Sequence, residues 1–340
     1  MRRLAWLLVL LLVASASATA GWWGWQRLNT PHRGFSESEV FVDLPAGSSV
    51  SSIATRLAAA GVVPDAMTFR AAARIARTER RLQAGEYRFG EAESPMTVVR
   101  RLAAGDVFTH TLTFPEGRTM WEMAEIFGRS ALGSAEEFEA AASDASLVAG
   151  LDPGALSLEG YLFPDTYALA RNAGAAGTVR AMVDRFTAAV DPELRAAAQE
   201  SGLTLREIVT LASLVEKETA APEERPIVAG VYHNRLRIGM PLQADPTVIY
   251  AMILEGRWNG NITRQDLQID SPYNTYRYRG LPPGPIASPG RASIEATIAP
   301  ARVPYLYFVS RNDGTHVFAS TLAEHNRNVA EWQVRYFQQR

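Results

Sequence analysis

The sequence predicts a mixed α+β protein carried on one N-terminal transmembrane helix, and three observations lead to that class. Met1-Arg2-Arg3 precedes an uncharged stretch over residues 4–25. Beyond it, short alternating segments such as Val40-Phe41-Val42-Asp43-Leu44 are interspersed with apolar residues at helical spacing. Near the C-terminus, residues 305–310 and 316–320 read as two strands around Asp313-Gly314, a dipeptide suited to a tight hairpin. With 340 residues, 47% hydrophobic and 21% charged, the chain has globular composition. At ~150 residues per domain, its length predicts roughly two folded units.

The apolar stretch of about 22 residues would measure ~33 Å as a helix, enough to span a bilayer. Arg2 and Arg3 favour a cytoplasmic N-terminus, and Trp22, Trp23 and Trp25 suit the far interface. The competing reading is a cleaved signal peptide with an apolar core over residues 4–13, cut after Ala16-Ser17-Ala18 or Ala18-Thr19-Ala20. Continuation of the apolar run through the tryptophans favours a retained inner-membrane anchor, and either reading exports the remainder of the chain. A net charge of −2 provides no basic field for nucleic acid. With no cysteine, disulfides, thiolate metal sites, a cysteine nucleophile and a lipidated-cysteine anchor are all excluded.

The chain then divides into a tail (1–3), the membrane helix (4–25), a polar linker carrying Pro31 and Gly34 (26–39), a small module (40–105), a connecting region (106–157) and a larger mixed α+β domain (158–340). In the module, the strand 40–44 leads into helices over 49–60 and 67–77, separated by Gly61. A strand at 85–89 and a short helix at 96–103 follow. This strand–helix–helix–strand layout resembles the LysM-like modules that grip glycan chains. In the connecting region, a strand at 109–114 turns through Pro115-Glu116-Gly117 into a helix from about Thr119, and residues 133–154 read as helical. The aromatic segment 158–167 reads as a packed loop or a cleft wall. Thr321 and Glu324 form a capping-box pattern ahead of the final helix.

The most informative region is 205–250. Leu205, Ile208, Val209, Ala212 and Val215 mark one apolar helix face, which runs into Glu216-Lys217-Glu218-Thr219 and ends before Pro222. Two residues apart, Glu216 and Glu218 point about 200° away from each other, so only one can address a given cleft. The partial negative charge of a helix C-terminus disfavours ionising a nearby carboxylate, a useful property in a glycosidic general acid. A glutamate at a helix end is equally an ordinary surface feature, and the helical wheel does not choose between the two. Further on, Gln243, Asp245 and Thr247, then Tyr273 and Asn274, sit in Pro- and Gly-stiffened segments. Their amide, hydroxyl and aromatic groups suit sugar recognition as well as loop ordering.

Other hydrolase classes fit poorly. Ser213 precedes Lys217 by four positions, which breaks a Ser-x-x-Lys element, and Lys217 is the only lysine, which excludes Lys-Thr-Gly. The five histidines (His32, His110, His233, His316, His325) are scattered, with no His-Glu-x-x-His helix for zinc. Each reads as structural, with His316 beside the hairpin turn placed to pack at a cleft.

Seven ordered blocks resemble the endolytic murein transglycosylase family. They are Glu159-Gly160 with Phe163-Pro-Asp-Thr166, Leu211-Ala-Ser-Leu-Val-Glu-Lys-Glu-Thr219, Asn234-Arg-Leu236, Leu242-Gln-Ala-Asp-Pro-Thr-Val-Ile-Tyr250, Ser271-Pro-Tyr-Asn-Thr-Tyr276, Gly280-Leu-Pro-Pro-Gly-Pro-Ile286, and Pro304-Tyr-Leu-Tyr-Phe-Val309 with His316, Phe318 and His325-Asn326. The resemblance implies a single-pass inner-membrane enzyme with an extracytoplasmic catalytic domain. Such an enzyme cleaves MurNAc-β-1,4-GlcNAc bonds inside peptidoglycan strands, leaves 1,6-anhydroMurNAc ends, and terminates nascent strands near peptidoglycan synthases. The family's catalytic glutamate falls on Glu218. Glu216, Gln243, Asp245, Thr247, Tyr273 and Asn274 match positions that line or brace the cleft, and neither metal nor cofactor is expected. Ser288, before Pro289-Gly290, replaces a more usual asparagine or threonine. Two other readings stay open: a hydrolytic muramidase using Asp245 to activate water, and a non-catalytic, membrane-tethered glycan-binding or divisome scaffold.

Overall fold

An unbroken helix, Arg2–Asn29 (α1), opens the computed structural model, which describes residues 2–219 and 221–338. Its portion Trp6–Asn29, with a mean hydropathy of 1.6, is long and apolar enough to cross a membrane. The helix runs four residues into the segment expected as linker, and Arg27 gives the reason. Its Nη2 donates to Asp65 Oδ2 at 2.6 Å and its Nε to Thr68 Oγ1 at 3.1 Å, fastening the last turn. Arg27 and the Thr68 backbone N–H hold the Asp65 carboxyl down at a pKa of about 2.

Residues 1–111 and 168–173 form one of two compact units. Strand Val40–Leu44 (β1) alternates as its sequence dictates: Val42 and Leu44 face the core, while Phe41 is exposed. Helix Val50–Ala59 (α2) buries Ile53, Ala54 and Leu57, and Ala66–Ile75 (α3) buries Phe69, Ala72 and Ala73. Between them Gly61 adopts φ +70°, and a Cβ there would strike the backbone of Gly34. Strand Gly85–Phe89 (β2) returns antiparallel to β1, with Val42 opposite Tyr87. Helix Pro95–Ala104 (α4) is capped by Ser94, starts on Pro95 and stops at left-handed Gly105. The strand–helix–helix–strand order is the one that the sequence predicts. Strand Thr109–Thr113 (β3) pairs with Thr166–Ala170 (β4), and the division between the units falls within these two strands.

Residues 112–167 and 174–340 form the second unit, which is mixed α+β. Capping boxes start Met120–Gly128 (α5), from Thr119 and Glu122, and Ala135–Ser143 (α6), from Ser134 and Glu137. Only part of residues 133–154 is helical. Asp144 breaks α6 with an extended backbone and caps a single 3₁₀ turn, Ala145–Val148, and Pro153 and Gly154 follow in a turn. Helices Gly174–Ala189 (α7), Pro192–Glu200 (α8), Leu205–Glu218 (α9), Arg225–Arg237 (α10), Asp245–Leu254 (α11) and Arg291–Ile298 (α12) come next. Strands Tyr307–Ser310 (β5) and His316–Ala319 (β6) make the expected antiparallel hairpin, Phe308 opposite Phe318. Helix Leu322–Val329 (α13) begins on the predicted Thr321–Glu324 capping box.

Helix α9 is the axis of this unit. Its Leu211, Leu214 and Val215 are fully buried against Val228, Ala229 and Tyr232 of α10, with Ile286 and Ala296 closing the cluster. At about 1.5–3 kcal/mol for each large apolar side chain withdrawn from water, this packing holds α9 in place and fixes where its C-terminal glutamates emerge. The aromatic segment 158–167 is a packed loop up to Asp165, and its last two residues begin β4. Leu158, Tyr161 and Leu162 are buried, and the Tyr161 hydroxyl donates to Asp152 Oδ2 at 2.5 Å. Gly160, at φ +83°, lets Pro285 and Val209 approach where a Cβ would stand.

Candidate active site

Glu218 is the last residue of α9, and Thr219 leaves the helix in an extended conformation. Glu218 lines a polar cavity of about 320 Å³ together with Arg235, Gln243, Asp245, Tyr276 and His325. The phenolic O–H of Tyr232 donates to Glu218 Oε1 at 2.9 Å. Desolvation is the largest influence on this carboxyl and pushes its pKa up to about 7; the Tyr232 hydrogen bond opposes the rise, the negative charge of Asp245 adds to it, and Arg235 weakly counters it. Burial rather than the helix terminus anticipated from sequence is therefore the main cause. Burial also raises the pKa of Tyr232, with Glu218 adding to the effect, so Tyr232 remains a donor.

Arg235 is 7% exposed and acts as an internal strut. Its Nε donates to the Leu306 carbonyl at 2.6 Å and its Nη1 to the Leu242 carbonyl at 2.6 Å, while the guanidinium lies over the Tyr307 ring at 5.5 Å. It thus ties α10 to the hairpin and to the residue preceding Gln243. Gln243 has φ +50°, an uncommon left-handed backbone for a residue other than glycine, and its N–H donates to the Thr275 carbonyl at 3.2 Å. Asp245 begins α11 and accepts a 2.5 Å hydrogen bond from the Tyr276 hydroxyl. His325 stacks on Tyr307 with centroids 5.1 Å apart, and burial lowers its pKa, which favours the neutral ring.

Of the seven residues singled out from sequence, three meet in this cavity: Glu218, Gln243 and Asp245. Glu216 does not share it. Its carboxylate accepts from the Gly290 N–H at 3.0 Å and from Ser293 Oγ at 2.7 Å, and lies 3.6 Å from Arg225, bracing the loop before α12. Thr247 is fully buried and donates to the Ala244 carbonyl at 2.7 Å. Asn274, also fully buried, donates to the Leu267 and Ile269 carbonyls and accepts from the Tyr276 N–H, which steadies the residue that holds Asp245. Tyr273 packs on Tyr250 at 4.9 Å, away from the Glu218 cavity. Ser288 is buried. Its N–H donates to the Arg118 carbonyl and its own carbonyl accepts from Gly117 N–H, both at 2.9 Å. The unusual serine leaves the loop's backbone bonds intact, but its Oγ has no partner among the described residues.

The sequence-based candidates did not include Arg235, Tyr232, Tyr276, Tyr307 or His325, although each lies in or beside a quoted block except Tyr232, which precedes one by two residues. His316 is held by Glu224, whose carboxylate takes the His316 N–H at 2.8 Å and pairs with Nδ1 at 2.7 Å. Since Thr219 Oγ1 also donates to Glu224, this pair links the residue after Glu218 to the start of β6.

The site is thus a partly buried carboxyl of raised pKa that shares with a second carboxylate a cavity rich in hydrogen-bonding groups, an arrangement suited to acid–base chemistry on a polar substrate. The chain belongs to the YceG-like family, whose profile matches residues 42–331. It is 33% identical over 366 aligned positions to the endolytic murein transglycosylase of Streptococcus pneumoniae serotype 2 (strain D39), covering 96% of this chain and 65% of the relative. The chain therefore spans just under two thirds of that pneumococcal relative's length. The endolytic murein transglycosylase of Bacillus subtilis (strain 168) is 32% identical over 308 positions, covering 86% of this chain and 84% of the relative. A crystal structure of a yceG-like protein from Listeria monocytogenes matches with a TM-score of 0.58 and 31% identity, over 86% of this chain and 99% of that one.

Proposed function

We propose that this chain is an endolytic murein transglycosylase. It would cleave MurNAc-β-1,4-GlcNAc bonds within peptidoglycan glycan strands and leave 1,6-anhydroMurNAc ends. The observation that carries the reading is the placement of Glu218: a partly buried carboxyl with a pKa of about 7, hydrogen-bonded to Tyr232, in a cavity lined by Gln243, Asp245 and Arg235. The names of the pneumococcal and Bacillus relatives supply the substrate class.

One carboxyl serves twice. Protonated Glu218 gives its proton to the glycosidic oxygen as the bond to muramyl C1 breaks and an oxocarbenium-like centre forms. The resulting carboxylate then takes the proton of the muramyl 6-hydroxyl, whose oxygen attacks C1 and closes the anhydro ring. Glu218 ends protonated, ready for another turnover. Asp245, oriented by Tyr276, supports the developing positive charge, and Gln243 and Arg235 position the sugar and the cavity wall. Thr247 and Asn274 act one step back, bracing the segments that carry Gln243, Asp245 and Tyr276, while Glu216 braces the loop before α12 and Tyr273 packs on Tyr250.

The same reading makes residues 4–25 a single-pass inner-membrane anchor with a cytoplasmic N-terminus, residues 40–105 a LysM-like glycan-holding module, and residues 158–340 the catalytic domain outside the cytoplasm. Its partners are the glycan strands, the membrane and the peptidoglycan synthases whose nascent products it terminates; nucleic acid is not among them. A second reading rests on Asp245. A carboxylate lining the same cavity as Glu218 could activate water instead, producing reducing ends by hydrolysis.

The test is the Glu218→Gln variant on purified glycan strands. Loss of cleavage by at least about 10²-fold, with thermal melting and strand binding retained, supports the assignment. Turnover like that of the wild type overturns it.

A further inference from the structure

Helix α3 is apolar on two sides, and only one of them is used by the core. Thr68, Phe69, Ala72 and Ala73 face inward. Met67, Ala71 and Ile75, at i, i+4 and i+8, form a second stripe on the outside. Met67 is 78% exposed and Ile75 63%. Two large side chains of one stripe left in water gain nothing from folding, and a contiguous apolar patch of this kind marks an interaction surface.

The stripe's surroundings identify that surface. Met67, Ala71 and Ile75 line one side of a groove whose other side is the end of α1, including Trp23 and Trp25. Trp22, Trp23 and Trp25 are themselves 62%, 63% and 59% exposed, as interfacial tryptophans of a spanning helix would be. The two sides are fixed to each other. Arg27 sits one helical turn beyond Trp23, covers its ring at 5.2 Å, and is bonded to Asp65 at the start of α3. Whatever depth the tryptophans take, the start of α3 is fastened to the turn of α1 that follows them, about one helical turn, or ~5 Å, further along that helix.

Arginines border the stripe. Arg70 and Arg77 are exposed on or just past α3, as is Arg100 on α4; Arg74 is exposed and only loosely paired, 3.7 Å from Glu79. An apolar stripe edged by cations, level with a tryptophan belt, matches the boundary between acyl chains and anionic phospholipid head groups.

We propose that the outer face of α3 rests in the head-group region of the leaflet where α1 ends, so that the small module lies on the membrane instead of swinging free on its anchor. The inference rests on the reading of α1 as a membrane-spanning helix.

The absence of cysteine makes the test direct, because each introduced thiol is unique. The full chain, carrying Met67→Cys, Ala71→Cys or Ile75→Cys with a nitroxide, is reconstituted into phosphatidylcholine–phosphatidylglycerol vesicles. Accessibility to oxygen and to a water-soluble nickel chelate is then compared. Leu10→Cys reports the span, and Thr55→Cys, exposed on α2, reports solvent. The expected result is a shift toward oxygen at all three α3 positions, in the direction of Leu10 and away from Thr55. Nickel accessibility at α3 equal to Thr55, with Leu10 still in lipid, overturns the inference and leaves the anchor standing. Leu10 in water overturns both. Protection that appears only at high protein-to-lipid ratio, or only after adding glycan strands, assigns the face to a second copy or to glycan and also overturns it.

Discussion

The Tyr232 hydroxyl reaches across from α10 to donate to Glu218 Oε1 at 2.9 Å, so the candidate acid's proton affinity is set by a neighbouring helix as well as by burial. Tyr232→Phe removes a bond that favours the carboxylate, and the pKa of Glu218 must then rise. A hydrogen bond is worth about 1 kcal/mol and a pKa unit 1.36 kcal/mol, so the shift is up to about one unit. In the pH profile of kcat/KM, wild-type activity falls as pH rises past about 7, where the acid loses its proton. The Tyr232→Phe limb should lie at higher pH. A limb that stays put or moves to lower pH contradicts the role given to this pair.

The same raised pKa has a stability consequence. Glu218 titrates near 4.5 in the unfolded chain and near 7 when folded, so the folded state holds the proton more tightly. Its contribution is full below about pH 4.5 and is lost as pH rises through 7, by on the order of 3 kcal/mol. Glu218→Gln has no proton to lose. Denaturant melts should therefore show the variant gaining on wild type between pH 5 and pH 8, and parallel pH dependence for the two proteins would contradict the shift.

Glu216 gives a contrasting prediction. Its bonds to Gly290 N–H and Ser293 Oγ hold the loop ahead of α12, so Glu216→Ala leaves buried donors unpaired and should cost about 2–3 kcal/mol of stability. Residual activity at low temperature, where the fold survives, should exceed that of Glu218→Gln by orders of magnitude. Equal inactivation with an unchanged melting temperature would place Glu216 in the chemistry.

Ser288 carries a buried hydroxyl with no partner among the described residues. Ser288→Ala should be neutral or stabilising by up to about 1 kcal/mol, since it removes an unsatisfied group and keeps both backbone bonds. Marked destabilisation would mean that the hydroxyl is satisfied in solution.

What could be read in advance follows from the range of each interaction. Alternation in Val40–Leu44 and the Thr321–Glu324 cap are local patterns, and each appears as the sequence implies. The single apolar face expected of α9 is only part of its burial: every residue from Ile208 to Val215 is buried, because elements distant in sequence surround the helix. The 200° separation of Glu216 and Glu218 is also local, and the two do point to different neighbours. Which one enters the cavity was not legible, because the answer lies with Tyr232, Asp245 and Gly290, brought together by packing. Arg235, Tyr276, Tyr307 and His325 converge from α10, a loop, β5 and α13, with no spacing rule to relate them. The left-handed backbone of Gln243 is hidden for the same reason, since a glutamine carries no φ signal. The source of the Glu218 shift was misjudged from sequence because helix ends are visible there and burial is not.

The most direct measurement is mass spectrometry of uncrosslinked glycan strands after digestion by the full-length protein, run beside Glu218→Gln. The wild type should produce 1,6-anhydroMurNAc ends and the variant should leave the strands intact. Reducing ends from the wild type would make water the nucleophile and move attention to Asp245, and anhydro ends from the variant would contradict the assignment of Glu218.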